Sequence, residues 1–384
     1  MIVVKPKKIL ILCSLAESLI SFRKDMISVF LTNGFKVYTA SPNYNSEIFE
    51  ELSDMGVTPL QYSLQRTGMN PINDLKSLLD IKKIVKTHNI DLIFPYTIKP
   101  VIYGSIAGNL TGTSVISLIT GLGFTFSKSS KKAQILQKLT EVLYRLAIRN
   151  NKAVIFQNAD DLELFLEKSL LSKNQRAHIV DGSGINLKKY PFRQNNHNSK
   201  RKVFVLVARL IREKGVELFI EAAKSLKKEF PEAEFHLIGE PDSSPSSIKV
   251  ELLEELHKNK TIVYHGFQKN ISKFLESSDV FVLPTYYREG IPRSILEALS
   301  IGMPIITTNT PGCRETVISG KNGILVEPRQ LEELKAAIRF FLENSETITN
   351  WGIRSRKLAE DRFNVEIINN KILKILNNTR TKEL

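Results

Sequence analysis

Four charged residues in the second half of the chain have types and spacing suited to chemistry. Arg209 and Lys214 lie in VFVLVARLIREKG (203–215), and Glu289 and Glu297 lie in DVFVLPTYYREGIPRSILEAL (279–299). Each pair follows a short apolar run rich in Val and Phe, and a helical pattern comes after it. Both runs therefore read as buried parallel strands entering helices. Open α/β sheets bind ligands at the carboxyl ends of their strands. Two cations and two carboxylates delivered there suit a ligand with an anionic diphosphate and several hydroxyls, as in a nucleotide-sugar. A departing nucleoside diphosphate gathers negative charge, which an enzyme offsets with a divalent metal or with fixed cations. The chain has no Asp-x-Asp pair, and its six His show no metal-ligand spacing. A guanidinium and an ammonium at one strand end can do the work instead. No metal or other cofactor is expected.

Glu289 and Glu297 are eight positions apart. Pro292 and Ser294 between them fit the cap or first turn of a helix. Glu289 then sits in the strand-to-helix turn and Glu297 about one turn inside the helix. The backbone N–H groups of residues 290–294 would point into the same space and favour an anion. By spacing alone the pair also fits a loop carboxylate and a solvated helix carboxylate. Likewise Arg209 and Lys214 could be one half of ordinary surface pairs with Glu213 and Glu217. TGLGFTF (120–126) and DGSGINL (181–187) each contain G-x-G, but neither continues as G-x-G-x-x-G. A dehydrogenase-type dinucleotide fingerprint is therefore absent.

The elements that must position these residues come in two series. KKILILC (7–13), FKVYTA (35–40), DLIFPY (91–96), TSVISLIT (113–120) and KAVIFQN (152–158) read as strands. FRKDMISVFLTNG, INDLKSLLDIKKIVKTH and ADDLELFLEKSL read as helices between them, the second capped by Asn73 or Asp74. FRQNNHNSKRK (192–202) is polar, basic and without apolar periodicity, which marks a linker. Alternation restarts at VFVLVA and runs through AEFHLIG (233–239), TIVYHG (261–266), DVFVLP (279–284), MPIITT (303–308) and GILVE (323–327) to a helical tail from Leu331. Two successive βαβ series imply an α/β protein of two doubly wound domains facing a cleft. The expected divisions are 1–190, a linker at 191–202, 203–360, and a helix at 361–384 returning to the first domain.

At 384 residues, each domain is large enough to bury its own core. The 42% apolar and 24% charged composition is that of a soluble globular protein. Cys13 and Cys313 are too few for a disulfide framework, read as core residues, and fit a reducing cytoplasm. MIVVKPKKILILCSLAE has a short apolar stretch ended by Glu17, so it reads as a first strand and not as a signal peptide. A net charge of +14 favours an anionic partner: nucleic acid, a phospholipid surface or a phosphorylated ligand.

One basic segment stands out. SKSSKKAQILQKLTEVLYRLAIRNNK (127–152) places Ile135, Leu139, Val142 and Leu146 on one helical stripe. Lys131, Lys138, Arg145 and Lys152 recur every seven residues, Lys128, Lys132 and Arg149 add charge, and Glu141 is the only acid. The apolar stripe is expected to pack on the sheet. The basic face beside it either meets water or lies against anionic headgroups or lipid pyrophosphates.

The ordered series VARLIREKG, AEFHLIGE, YHGF, LPTYYREGIPRSILEALSIGMPIITTNTPGCRETV and NGILVEP resembles the retaining glycosyltransferases of GT-B architecture often called family 4. SLISFRKDM (18–26), TIKPVIYGSIAG (97–108) and TGLGFTF resemble the subgroup that extends undecaprenyl-diphosphate-linked sugars for surface polysaccharides or glycans. The resemblance implies that Arg209 and Lys214 hold the donor diphosphate and Glu297 the ribose hydroxyls. Glu289 with the backbone of Gly290, Ile291 and Pro292 would hold the sugar, and Gly266 and Phe267 would pack near the base. On the acceptor side, Ser14 to Ser18 would form the loop after the first strand, with Thr97, Lys99 and Gly121 to Gly123 beside it. The first loop lacks the Gly-Gly pair of many family members, and Thr97 or Lys99 stands where many have His. The implied activity is transfer of a hexose or N-acetylhexosamine from a UDP-sugar, without metal. The implied setting is the inner face of the cell membrane, with Lys131, Lys138, Arg145 and Arg149 toward its anionic surface. Two other readings are a non-hydrolysing UDP-sugar 2-epimerase of the same fold and a basic nucleic-acid-binding module. The second lacks the aromatic-interleaved basic run that would support it.

Overall fold

Short apolar runs become the strands of two separate parallel sheets. The computed structural model describes residues 7–65, 68, 70–123, 126, 131–193, 201–242 and 246–378, with the side chains of 131–133 left out. The chain forms two compact units, Met1–Ser183 with Val365–Leu384, and Gly184–Asn364.

The first unit contains β1 (Lys8–Leu12), α1 (Glu17–Thr32), β2 (Lys36–Ser41), α2 (Ser46–Asp54), β3 (Thr58–Gln61), α3 (Pro71–His88) and β4 (Leu92–Pro95). It continues with α4 (Ile98–Thr111), β5 (Ser114–Ile119), α5 (Lys131–Ile148), β6 (Ala153–Phe156), α6 (Ala159–Glu167) and β7 (Ala177–Ile179). The strands form one sheet in the order β3-β2-β1-β4-β5-β6-β7, with every pairing parallel. Side chains alternate across it. Ile9 and Ile11 enter one core with residues of α1 and α2, while Leu10 and Leu12 enter the other with residues of α3, α4, α5 and α6. Strand order reverses between β1 and β4, the place where such sheets receive ligands.

Helix α2 and the edge strands β3 and β7 are additions to the elements expected from the sequence, and four further local findings differ from those expectations. Helix α1 begins at Glu17, ahead of the expected Phe22, because Leu19 is fully buried and the Ser18 hydroxyl is satisfied by Leu15 O at 2.6 Å. Helix α3 is capped by Asn70, whose Oδ1 accepts from Ile72 N at 3.0 Å and Asn73 N at 3.4 Å, with Pro71 in the first turn. Helix α4 was not expected from periodicity. It is apolar nearly all round and buried along most of its length, so it has no polar stripe to read. It packs so closely that a Cβ on Gly108 would stand 2.2 Å from Val115 Cγ2.

The fourth finding concerns α5. Its stripe of Ile135, Leu139, Val142 and Leu146 is exposed, not packed on the sheet. The buried side is Gln137, Thr140, Tyr144, Ala147 and Ile148. Polar residues are tolerated there because their groups are satisfied within the helix. Gln137 Nε2 donates to Glu141 at 2.8 Å and Thr140 Oγ1 to Leu136 O at 2.8 Å. Tyr144 packs edge-on against Phe165 at 5.2 Å, giving the helix its anchor.

The second unit contains β8 (Val203–Val207), α7 (Val216–Glu229), β9 (Glu234–Ile238), α8 (Val250–Lys258), β10 (Val263–Tyr264), α9 (Ser272–Glu276) and β11 (Val280–Leu283). Then come α10 (Arg293–Ile301), β12 (Ile305–Thr308), β13 (Gly323–Val326), α11 (Leu331–Glu343) and α12 (Thr347–Leu358). Its six strands run in the order β10-β9-β8-β11-β12-β13, all parallel. The reversal here falls between β8 and β11, the two strands carrying the charged residues. A final helix, α13 (Val365–Asn378), belongs to the first unit and packs on α1. Its Ile368, Ile372 and Leu376 are fully buried in the core that contains Ile9 and Phe30. Among the described residues no helix is long and apolar enough to cross a membrane.

Candidate active site

In the second unit the segments after β8 and β11 are stitched together by one carbonyl. Glu213 O accepts from Tyr286 N at 2.9 Å, Tyr287 N at 3.1 Å and Thr285 Oγ1 at 2.9 Å. Glu213 is the middle residue of a 3-10 turn, Arg212–Lys214. The loop after β11 is thereby held against the turn, and Lys214 Nζ forms an ion pair with Glu289 Oε1. Both side chains are largely buried, at 12% and 13% exposure. Tyr287 lies under both cations, with Lys214 Nζ 5.3 Å and the Arg209 guanidinium 5.8 Å from its ring centroid. Arg209 also bonds Asp242, which follows β9, at 2.8 Å. Arg209, Lys214 and Glu289 therefore converge at the switch point, as their spacing suggested, on a Tyr that the sequence reading did not single out.

The turn that carries Glu289 is held from behind. Gly312, after β12, has φ +81°, and a Cβ there would stand 2.0 Å from Gly290 O. A side chain would push the Glu289–Gly290 backbone away from Lys214. Gly290, Ile291 and Pro292 are buried and lead into α10, which starts after Pro292 with no side-chain cap. The positive end of the helix dipole lies at this edge of the sheet.

Glu297 is one turn into α10 and only 8% exposed. Its Oε1 accepts from Tyr190 Oη at 2.9 Å and Arg293 Nε at 3.3 Å. Burial raises the pKa of this carboxyl, against the opposing pull of Arg293 and Tyr190. The carboxylate is thus held in place by two partners that the sequence reading missed. Gly266 and Phe267 are at the edge of the sheet after β10, where Gly266 O accepts from Gly239 N at 2.9 Å and Phe267 is 65% exposed. Beside them His265 meets His236 at 3.2 Å, and His236 meets Glu234 at 2.9 Å. Burial, with the neighbouring His residues, lowers the His265 pKa to about 4.

In the first unit the switch point also gathers polar groups. Ser14 follows β1 and Thr97 follows β4, and their hydroxyls meet at 3.0 Å. Thr97 has φ +69° and ψ 159°, a conformation that strains a β-branched residue. Ser18 is in the first turn of α1 and not in a loop. Its hydroxyl is buried against Tyr96 Oη at 2.6 Å, which makes it a support for the switch point and not part of its surface. Lys99 Nζ is engaged by Asp74 at 2.9 Å and Gln65 O at 2.9 Å. Gly121 and Gly123 both have positive φ in the segment after β5. Phe124 and Thr125 are outside the described residues.

The basic residues near α5 are arranged differently from one another. Lys138 and Arg149 are exposed. Arg145 donates to the carbonyls of Ser169 at 3.1 Å and Lys168 at 2.9 Å, so it also caps the end of α6. Lys128 and the side chain of Lys131 are outside what the structure describes. Among the described residues no group of three His, Cys, Asp or Glu side chains is placed to hold a metal ion.

Two parallel doubly wound units in one chain, each gathering polar side chains at its switch point, are the parts of the GT-B class of glycosyltransferases. Residues 189–358 match the family described as glycosyl transferases group 1, and residues 8–158 match the glycosyl transferase 4-like family. The chain thus carries a group 1 glycosyltransferase domain behind a glycosyltransferase 4-like amino-terminal domain. It is 27% identical over 372 residues to the N,N'-diacetylbacillosaminyl-diphospho-undecaprenol alpha-1,3-N-acetylgalactosaminyltransferase of Campylobacter jejuni, covering 93% of this chain and 95% of that protein. It is 28% identical over 279 residues to the UDP-Gal:alpha-D-GlcNAc-diphosphoundecaprenol alpha-1,3-galactosyltransferase of Escherichia coli, covering 70% of each. Among solved structures, Anabaena HepE in complex with UDP superposes with a TM-score of 0.75 at 19% identity, over 97% of this chain and all of that one. The family match settles the reaction class as glycosyl transfer and leaves the epimerase and nucleic-acid readings without support.

Proposed function

We propose that this enzyme moves a hexose or N-acetylhexosamine from a UDP-sugar, with retention, to a sugar carried on undecaprenyl diphosphate in surface polysaccharide assembly. The donor reading rests on the Lys214–Glu289 pair and the Arg209 guanidinium gathered over Tyr287 at the β8/β11 switch point. The acceptor reading rests on similarity along 93% of the chain to an enzyme whose name specifies a diphospho-undecaprenol acceptor.

In this reading the donor diphosphate takes Arg209 from Asp242 and shares Lys214 with Glu289. As the bond from the anomeric carbon to the diphosphate oxygen breaks, the two cations offset the charge arriving on that oxygen. Retention follows if the acceptor hydroxyl attacks from the face the diphosphate leaves, giving its proton to a leaving-group oxygen. Glu297 takes the ribose hydroxyls, and Glu289 with the Gly290–Pro292 backbone takes the sugar. Gly266 and Phe267 flank the base. Ser14 and Thr97 stand on the acceptor side, with Lys99 and the segment at Gly121 and Gly123. The enzyme needs no metal, and it works at the anionic inner face of the cell membrane.

A mass-spectrometric screen of UDP- and GDP-sugars against short-chain lipid-diphosphate sugars, with and without EDTA, tests this. The expected result is one UDP-sugar consumed, a single hexose or N-acetylhexosamine added with the donor's anomeric configuration, and turnover unchanged by EDTA. A product with inverted configuration, or transfer only to acceptors lacking the lipid diphosphate, would end the proposal.

A further inference from the structure

The outward stripe of α5 has a counterpart on α3. Both helices pack against α4 on the same face of the first sheet, and their side chains enter the same core. On α3, Ile72, Leu75 and Leu79 are exposed, Ile72 at 79%. On α5, Ile135 is 71% exposed and Leu139, Val142 and Leu146 share its side. Seven large apolar side chains thus stand in water on two helices of one face, far more than scattered surface residues would give.

Charge identifies what covers them. The exposed charged residues of α3 are Lys76, Lys83 and Lys86, and those described on α5 are Lys138 and Arg145. All are basic. The acids on these helices are turned aside: Asp74 is paired with Lys99, Asp80 accepts from Ser63 N, and Glu141 accepts from Gln137. Apolar side chains between basic ones suit the boundary of an anionic bilayer, where the alkyl groups enter the acyl region and the cations meet headgroups. A second copy of the same face would bring lysines against lysines, which disfavours self-association.

We propose that the α3/α5 face is a membrane-insertion surface, with Ile72, Leu75 and Leu79 on one helix and Ile135, Leu139, Val142 and Leu146 on the other entering the anionic leaflet. This deepens the proposed function and rests on its lipid-linked acceptor: attachment is by apolar insertion as well as by basic charge. Lys99, at the start of α4, bonds Asp74 in the first turn of α3, so the α3 end of this surface adjoins the acceptor-side residues. A bilayer there would present a lipid-linked sugar to the Ser14–Thr97 edge.

The test uses the full chain and sedimentation with phosphatidylcholine vesicles, with and without phosphatidylglycerol, at low and raised salt. Wild type should bind the phosphatidylglycerol vesicles and stay partly bound at raised salt. Two variants, Ile72→Ser/Leu75→Ser/Leu79→Ser and Ile135→Ser/Leu139→Ser/Val142→Ser/Leu146→Ser, should each lower partitioning about 10-fold or more. Their UDP affinity and transfer to a soluble short-chain acceptor should stay as in wild type. Leu139→Trp should be quenched by lipids brominated near the headgroup end of the acyl chain. Unchanged partitioning in both serine variants, or no quenching, overturns the insertion surface while leaving the transferase reading intact. A dimer that only the serine variants dissociate, with vesicle binding unaffected, assigns the face to self-association and also overturns it. Absence of transfer to any lipid-diphosphate sugar by wild type defeats the functional reading, whatever the vesicles show.

Discussion

Replacing Lys214 with Met keeps the length of the side chain and removes its charge. The Lys214–Glu289 pair is about seven-eighths buried, at 12% and 13% exposure. Removing one partner of a buried pair costs about 3–5 kcal/mol, since the other charge stays behind without compensation. Residual solvent contact and the nearby Arg209 guanidinium place this case at the lower end, about 3 kcal/mol. For a unit the size of Gly184–Asn364 each kcal/mol moves the melting temperature by about 2–4 °C, so a fall of about 10 °C is expected. Lys214→Met/Glu289→Gln, which removes both charges, should recover most of that loss. Turnover should behave differently. An electrostatic group aimed at the leaving diphosphate is worth about 10²–10³ in rate, so kcat of Lys214→Met should fall by that much well below the melting temperature. Calorimetry and steady-state transfer on the same preparations separate the two effects. A fall in melting temperature with kcat within about 10-fold of wild type would make the pair structural and refute its catalytic assignment. An unchanged melting temperature would refute the burial argument.

Three other perturbations probe neighbouring parts of the site. Glu297→Ala should weaken UDP binding by about 10-fold or more and remove the oxygen to which Tyr190 Oη and Arg293 Nε donate, while Glu297→Gln should retain part of the affinity; titration calorimetry with UDP measures both. Gly312→Ala forces a Cβ toward Gly290 O, where only 2.0 Å is available, and should cost over about 1 kcal/mol in stability together with donor affinity, read by melting and UDP titration. His265 stays neutral in the fold down to about pH 4, whereas the unfolded chain protonates it near the ordinary histidine value. The unfolded state therefore binds more protons between those values, stability falls as pH drops through that window, and His265→Gln should flatten the fall in a pH series of melts.

The sequence made the second sheet and the inner strands of the first legible because parallel strands buried on both sides are continuous apolar runs; the edge strands β3 and β7, short and partly exposed, left no such run. The convergence of Arg209, Lys214 and Glu289 was legible too, since strand ends at a switch point meet whatever the helices do. Periodicity failed where it was ambiguous. Helix α5 has two candidate inner faces, and its more apolar one is outside while Gln137 and Thr140 turn inward with their polar groups already satisfied. Helix α4 offered no period, being buried on nearly every side. Long-range partners were out of reach: nothing local pairs Glu297 with Tyr190, 107 positions away, or Arg209 with Asp242. Tyr287 left a signal, as the second of two Tyr just ahead of Glu289 and at the end of an apolar strand.

The position of α13 has a consequence for how the protein is made. Ile368, Ile372 and Leu376 complete a core otherwise built from the first half of the chain, yet the ribosome delivers them only after all of Gly184–Asn364. The uninterrupted second unit can finish during synthesis, while the earlier one waits with an open seam. Its window of vulnerability to proteases and chaperones lasts as long as translation of the intervening segment. A nascent chain stalled before Val365 should be digested first in the part that was made first.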